Sequence, residues 1–207
     1  MPTLSSYNTE VRRLLHDANA QYWTDAELTD YINSARERVV RDTGCLRSLQ
    51  SFTLTIGQEA YNISSLPNGA STFDILNVNV IWGTSIIPLY YMPWSQFSAQ
   101  LRYWQLNQGR PVAFSMYGNT QFMVRPIPDQ AYASEIDTVI APPTLINPTD
   151  IDTLPIPFTA CVAFYAAYKA KFKEQSYNEA ETFSQAYQKQ IMAAQRGAMT
   201  RRLPSAF

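Results

Sequence analysis

Chemistry in this chain has few places to begin, because it holds one histidine, His16, and two cysteines, Cys45 and Cys161. A Ser–His–Asp triad needs an imidazole held between a nucleophile and a carboxylate. His16 lies among Leu14, Leu15 and Asp17 in a stretch patterned as a helix, and reads as a surface or hairpin-contact residue. A cysteine nucleophile would need that same imidazole. A structural zinc site takes four ligands, more than these three widely spaced side chains supply. Both thiols are therefore expected to be reduced and buried. No GxxxxGK[ST] or GxGxxG motif occurs, so no glycine loop is built to cradle a phosphate.

Carboxylates can work without histidine. Asp129, Glu135, Asp137, Asp150 and Asp152 lie near loops and strand ends, and a converging pair would hydrolyse a glycoside or hold a divalent ion. The competing expectation is that they form turns and solvated strand positions. Lys169, Lys171 and Lys173 fall close together beside Tyr165, Tyr168 and Phe172, a mixture that can bind single-stranded nucleic acid. The aromatics hold core spacing, however, which leaves the lysines as a solvated helix face. At the C-terminus Arg201, Arg202, Leu203, Pro204 and Phe207 combine charge, a rigid turn and an aromatic anchor. Such a segment is either a frayed end or a docking peptide that orders on a partner. The expectation is of no enzyme, with no catalytic, cofactor-binding or metal residues.

The elements that would position these groups fall into three sections. The first is helical. Residues 6–20 carry Tyr7, Val11, Leu14, Leu15 and Ala18 at core spacing. The second helix, 25–43, has its own start and stop signals. Thr24 and Glu27 match a capping box, and Trp23 and Leu28 a hydrophobic staple. Leu28, Ile32, Ala35 and Val39 make one apolar stripe, with Arg36, Glu37, Arg38 and Arg41 mostly off it. Gly44 supplies a left-handed stop. From about residue 50 the pattern alternates with period two. Strands are expected near 52–56, 60–63, 75–82, 86–89, 112–117, 121–125 and 135–140. A short helix near 93–106 places Phe97, Leu101 and Trp104 on one side. The third section is a helix over 158–174, with Phe158, Val162, Tyr165, Tyr168 and Phe172 in step, then a second helix from Ser176 with Ala180, Phe183, Tyr187, Ile191 and Ala194.

The predicted organisation is a helix pair in 1–49, a β domain in 50–154, a helix pair in 155–199 and an extended tail in 200–207. The fold class is α+β: the two pairs, each with one apolar face, pack as a four-helix bundle, and an antiparallel sandwich- or barrel-like section is inserted between them. Nothing resembles a signal peptide or a membrane span. The net charge of −1 conceals a gradient: residues 1–49 carry six basic and seven acidic side chains, 50–154 three and seven, and 155–207 seven and three. Such polarity favours layered or head-to-tail association over tight DNA binding.

The succession of motifs resembles the head-to-tail adaptor (connector) proteins of short-tailed phages. Trp23-Thr24-Asp25-Ala26-Glu27-Leu28 with Tyr31-Ile32-Asn33 is similar to their opening helix. Tyr61-Asn62-Ile63, Ile87-Pro88-Leu89, Gly109-Arg110-Pro111, Tyr117-Gly118 and Val124-Arg125-Pro126-Ile127-Pro128-Asp129 follow in order. The loop Asn68-Gly69-Ala70-Ser71-Thr72-Phe73-Asp74 departs from the shorter proline–aspartate turn of the family. The resemblance implies a non-enzymatic virion protein made in the host cytoplasm and placed at the tail and portal vertex. It implies a ring of copies, typically a dodecamer, beneath the portal protein. That ring would extend the channel, let double-stranded DNA pass without specific binding, anchor the tail nozzle or fibre proteins, and need no membrane. By position, Arg201, Arg202, Leu203, Pro204 and Phe207 become the portal-docking segment. A nozzle or completion protein is the neighbouring reading, and a carboxylate-based cell-wall hydrolase the distant one.

Overall fold

A computed structural model describes residues 1–100 and 107–199, with the side chains of Gln100, Ala198 and Met199 left aside. Leu101, Trp104 and the segment from Arg201 to Phe207 lie outside the described residues. The chain is α+β. In order it forms α1 (Leu4–Leu15), α2 (Asp25–Thr43), β1 (Arg47–Leu54), β2 (Ala60–Asn62), β3 (Thr72–Trp82), β4 (Ser85–Pro88) and β5 (Tyr90–Tyr91). There follow α3 (Trp94–Gln100), β6 (Ala113–Tyr117), β7 (Gln121–Arg125), β8 (Tyr132–Ile140), α4 (Ile156–Lys173) and α5 (Tyr177–Met199). Two compact units result: a helical one from Met1–Leu46 and the chain beyond Pro142, and a β unit, Arg47–Ala141.

In the helical unit α1 starts earlier and stops sooner than its apolar spacing suggests. The Thr3 hydroxyl accepts from the Ser6 N–H while the Ser6 side chain returns to the Thr3 backbone, and His16 ends the helix in the left-handed region at φ 57°. Helix α2 follows its signals. Thr24 and Glu27 close the capping box, Gly44 is left-handed at φ 59°, and Leu28, Ile32, Ala35 and Val39 are fully buried. Helix α4 packs against α5, α2 and α1. The expected stripe of large aromatics on α4 is corrected. Cys161, Val162, Ala163, Ala166, Ala167 and Ala170 are buried, whereas Phe172 is 54% exposed. A helix with three neighbours needs small residues on several sides, so bulk is a poor guide to its core.

The β unit contains two four-stranded sheets, ordered β1-β8-β3-β4 and β2-β7-β6-β5. The β5–β6 pairing is parallel and every other strand pairing is antiparallel. Leu54, Val78, Val80 and Ile136 from one sheet and Tyr61, Phe114, Phe122 and Val124 from the other share one core. Gly83, at φ 60°, makes the tight turn between β3 and β4, where Trp82 pairs with Ser85.

The chain before β3 folds as two short 3-10 turns, Ile63–Ser65 and, within the unusual loop, Gly69–Ser71. A Cβ on Gly69 would stand 2.1 Å from the Ile63 carbonyl oxygen and 2.7 Å from the Ser64 Cα. Both are backbone atoms that cannot swing away. Gly69→Ala is expected to cost about 1–3 kcal/mol, the range for overpacked sites, read as a lower urea midpoint at unchanged slope.

Candidate functional site

Two polar centres organise the helical unit, and each begins with a local sequence signal. Asp17 follows the left-handed stop of α1, and its carboxylate accepts from the N–H groups of Gln21 (2.8 Å), Tyr22 (3.3 Å) and Trp23 (3.0 Å). Arg12 reaches it at 3.1 Å and also pairs with Asp25 at 2.6 Å. Burial pushes the Asp17 carboxyl up, but the three N–H groups and the guanidinium outweigh it and hold it below the usual range. The turn between α1 and α2 is thereby wound around one carboxylate.

The family-signature residues continue this junction. Trp23 is buried and meets Tyr31 edge-on at 6.1 Å. Its carbonyl accepts from Arg12 at 2.9 Å. Lys173 of α4 lies 5.7 Å above the Trp23 ring and pairs with Glu27, whose carboxyl is held low first by that contact and then by Thr24. Asp25 and Thr24 begin α2, and Leu28 and Ile32 are sealed beneath it. Trp23, Asp25 and Glu27 thus tie α2 to α1 and α4, while Thr24 caps α2.

The second centre was not foreseen. Arg36, expected off the apolar stripe, is only 1% exposed. Its Nε and Nη2 donate to Asp152 Oδ1 at 3.0 and 2.8 Å. Its Nη1 donates to Asn33 Oδ1 and to the Pro143 carbonyl at 3.1 and 2.7 Å. Tyr7 of α1 donates to Asp152 Oδ2 at 2.6 Å, and the Leu154 N–H donates to Oδ1 at 3.1 Å. Burial, then the adjacent carboxylate, drives the Tyr7 phenol far above its ordinary pKa. A signal existed: Arg36 is one turn after Ile32, only about 40° from the stripe on a helical wheel.

The candidate carboxylates do not gather. Asp150 accepts from the Ile146 and Asn147 N–H groups, both at 2.8 Å, and Asp152 is consumed by Arg36 and Tyr7. In the β unit Asp129 accepts from the Tyr132 hydroxyl at 2.6 Å, Asp137 faces Arg47 at 3.5 Å, and Glu135 is half-buried on β8. Among the described residues no group of three metal-ligating side chains forms. Cys45 and Cys161 are free thiols, and burial pushes Cys161 up to about 11. The lysine trio is also engaged: Lys169 donates to Ser34 Oγ at 2.8 Å, Lys171 pairs with Glu174 and Glu179 at 2.9 Å, and Lys173 pairs with Glu27. Among the described residues no helix is long and apolar enough to cross a membrane.

The ionisable groups of these two centres are held in capping, turn and inter-helix contacts. The chain belongs to the SU10 adaptor protein family, whose sequence model matches residues 2–205. A phage adaptor is a virion-assembly component rather than an enzyme. No curated protein matches the chain.

Proposed function

We propose that this chain forms a ring, typically twelvefold, beneath the portal protein, where it extends the DNA channel and anchors the tail nozzle or fibres. The observation that carries the reading is the adaptor-family match over residues 2–205. The state of the ionisable groups supports it: Lys169, Lys171 and Lys173 are partnered within the chain, which suits a conduit that lets DNA slide without gripping phosphates. In this reading α1, α2, α4 and α5 act as one four-helix bundle, with the β unit inserted between the pairs. Arg201, Arg202, Leu203, Pro204 and Phe207 form the portal-docking segment, with the two arginines and the phenylalanine as anchors.

The test is a chain ending at Met199, mixed with purified portals and imaged by negative-stain electron microscopy. The full chain is expected to add a second ring to nearly every portal, and the shortened chain to almost none. Equal occupancy would remove the docking role from the last eight residues, 200–207.

A further inference from the structure

The first sheet of the β unit has two open edges that complement each other. Among the described residues neither β1 nor β4 has a neighbour on its outer side. Exposed edges are normally guarded by charge, since free N–H and C=O groups recruit another strand. On β4 charge is missing, since from Ile75 to Gln100 there is no charged residue, and the guard is reduced to the strand's shortness and to Pro88 at its end; on β1 the one charge is Arg47 at its start. Ile86 of β4 is 57% exposed and Leu49 of β1 is 63% exposed.

The backbone of β4 is oriented for pairing. The Leu89 N–H donates to the Val78 carbonyl, and Trp82/Ser85 and Val80/Ile87 are opposed pairs. By alternation Ser85, Ile87 and Leu89 turn their polar groups towards β3, and Ile86 turns its N–H and C=O outward. Strand direction fits as well. β1 and β3 both run antiparallel to β8, and β4 runs antiparallel to β3, so β4 of one copy meets β1 of another antiparallel. Side chains match in the same way. Leu49 opposes Asp137, Asp137 opposes Asn77, and Ile81, four residues on along β3, opposes Ile86. Leu49 and Ile86 therefore lie on one face.

The geometry points to a second copy of this chain as the occupant: β4 of each subunit adds to β1 of the next, with Ile86 opposite Leu49, so that one sheet runs around the assembly. An edge-to-opposite-edge contact is heterologous and builds a ring when the rotation between copies closes, which a shared edge of the two-fold kind cannot do. The inference rests on the ring reading and names the interface that builds it.

The test uses the full chain carrying Leu49→Cys and Ile86→Cys, assembled on portals and oxidised. A ladder of covalent multimers reaching the full ring is expected, with at least tenfold less product from Ser48→Cys with Ile86→Cys, whose side chains fall on opposite faces. Ile86→Pro removes the outward N–H and the apolar side chain while sparing the β3–β4 hydrogen bonds, and is expected to abolish rings while leaving the monomer's thermal midpoint nearly unchanged. Rings without the ladder overturn the edge pairing and leave the adaptor reading intact. Covalent dimers from Ile86→Cys alone overturn it in favour of a two-fold contact. Rings of the Ile86→Pro chain that fail to recruit tail proteins would assign the edge to a tail partner instead. Absence of a second ring with the unaltered chain overturns the adaptor reading itself.

Discussion

Asp152→Asn is expected to destabilise the helical unit by about 3–5 kcal/mol, the cost of leaving one member of a buried ion pair uncompensated. The side chain keeps its shape, so packing is preserved and the loss isolates charge. Arg36 would remain sealed from water, its Nε and Nη2 donating to a neutral amide where they now reach a carboxylate at 3.0 and 2.8 Å. Tyr7 loses a charged acceptor at 2.6 Å. Denaturant titration gives the magnitude, and hydrogen exchange locates it: amides of α1 and α2 are expected to open faster. Adding Arg36→Met removes the stranded charge. Recovery should be partial, because the Pro143 carbonyl and Asn33 lose the donor they share at 2.7 and 3.1 Å. A single variant as stable as the parent chain would mean that the pair contributes nothing to the fold.

Phe122→Ala carries a comparable effect in the β unit. Phe122 is fully buried, stacked on Tyr61 at 5.3 Å with 21° between the rings, and meets Phe52 edge-on at 6.1 Å. Tyr61 is itself fixed, its hydroxyl donating to the Gln58 carbonyl at 2.9 Å and accepting from the Thr55 N–H at 3.0 Å. Partners tied down in this way cannot collapse into the space left behind, so transfer and cavity costs both apply, about 3–5 kcal/mol in total. The readout is the loss of amide protection in β6 and β7. A drop under about 1 kcal/mol would show that the ring cluster relaxes to fill the void.

What the sequence discloses tracks the range of the interactions. Helix α2 was legible to the residue because the Thr24–Glu27 box, the apolar stripe and Gly44 are all local. The β3–β4 and β6–β7 hairpins were legible for the same reason. Arg36 and Asp152 were not, since their partnership spans 116 positions and neither residue announces the other. The alanine faces of α4 escaped because periodicity of large side chains points to Tyr165, Tyr168 and Phe172, while Ala163, Ala166, Ala167 and Ala170 are the fully buried positions and Tyr165 meets Tyr187 of α5 only at 5.0 Å between ring centres. The parallel pairing of Tyr90 with Ala113 was equally hidden, for two residues carry no period. Asp17 was hidden as well. The apolar spacing carries the first helix on to residue 20 and so places Asp17 inside it, and winding Gln21 to Trp23 around its carboxylate depends on the left-handed stop at His16.

The interleaving of the units along the polypeptide sets a timetable for the cell. Helices α1 and α2 leave the ribosome early, yet the helix that covers them, α4, begins only at Ile156. At about 5–20 residues per second, translation of the intervening stretch keeps Leu28, Ile32 and Val39 without that cover for on the order of ten seconds. The helical unit cannot complete its packing during that interval. Closure of the helical unit is thus tied to the late part of synthesis, after every strand of the β unit has been made.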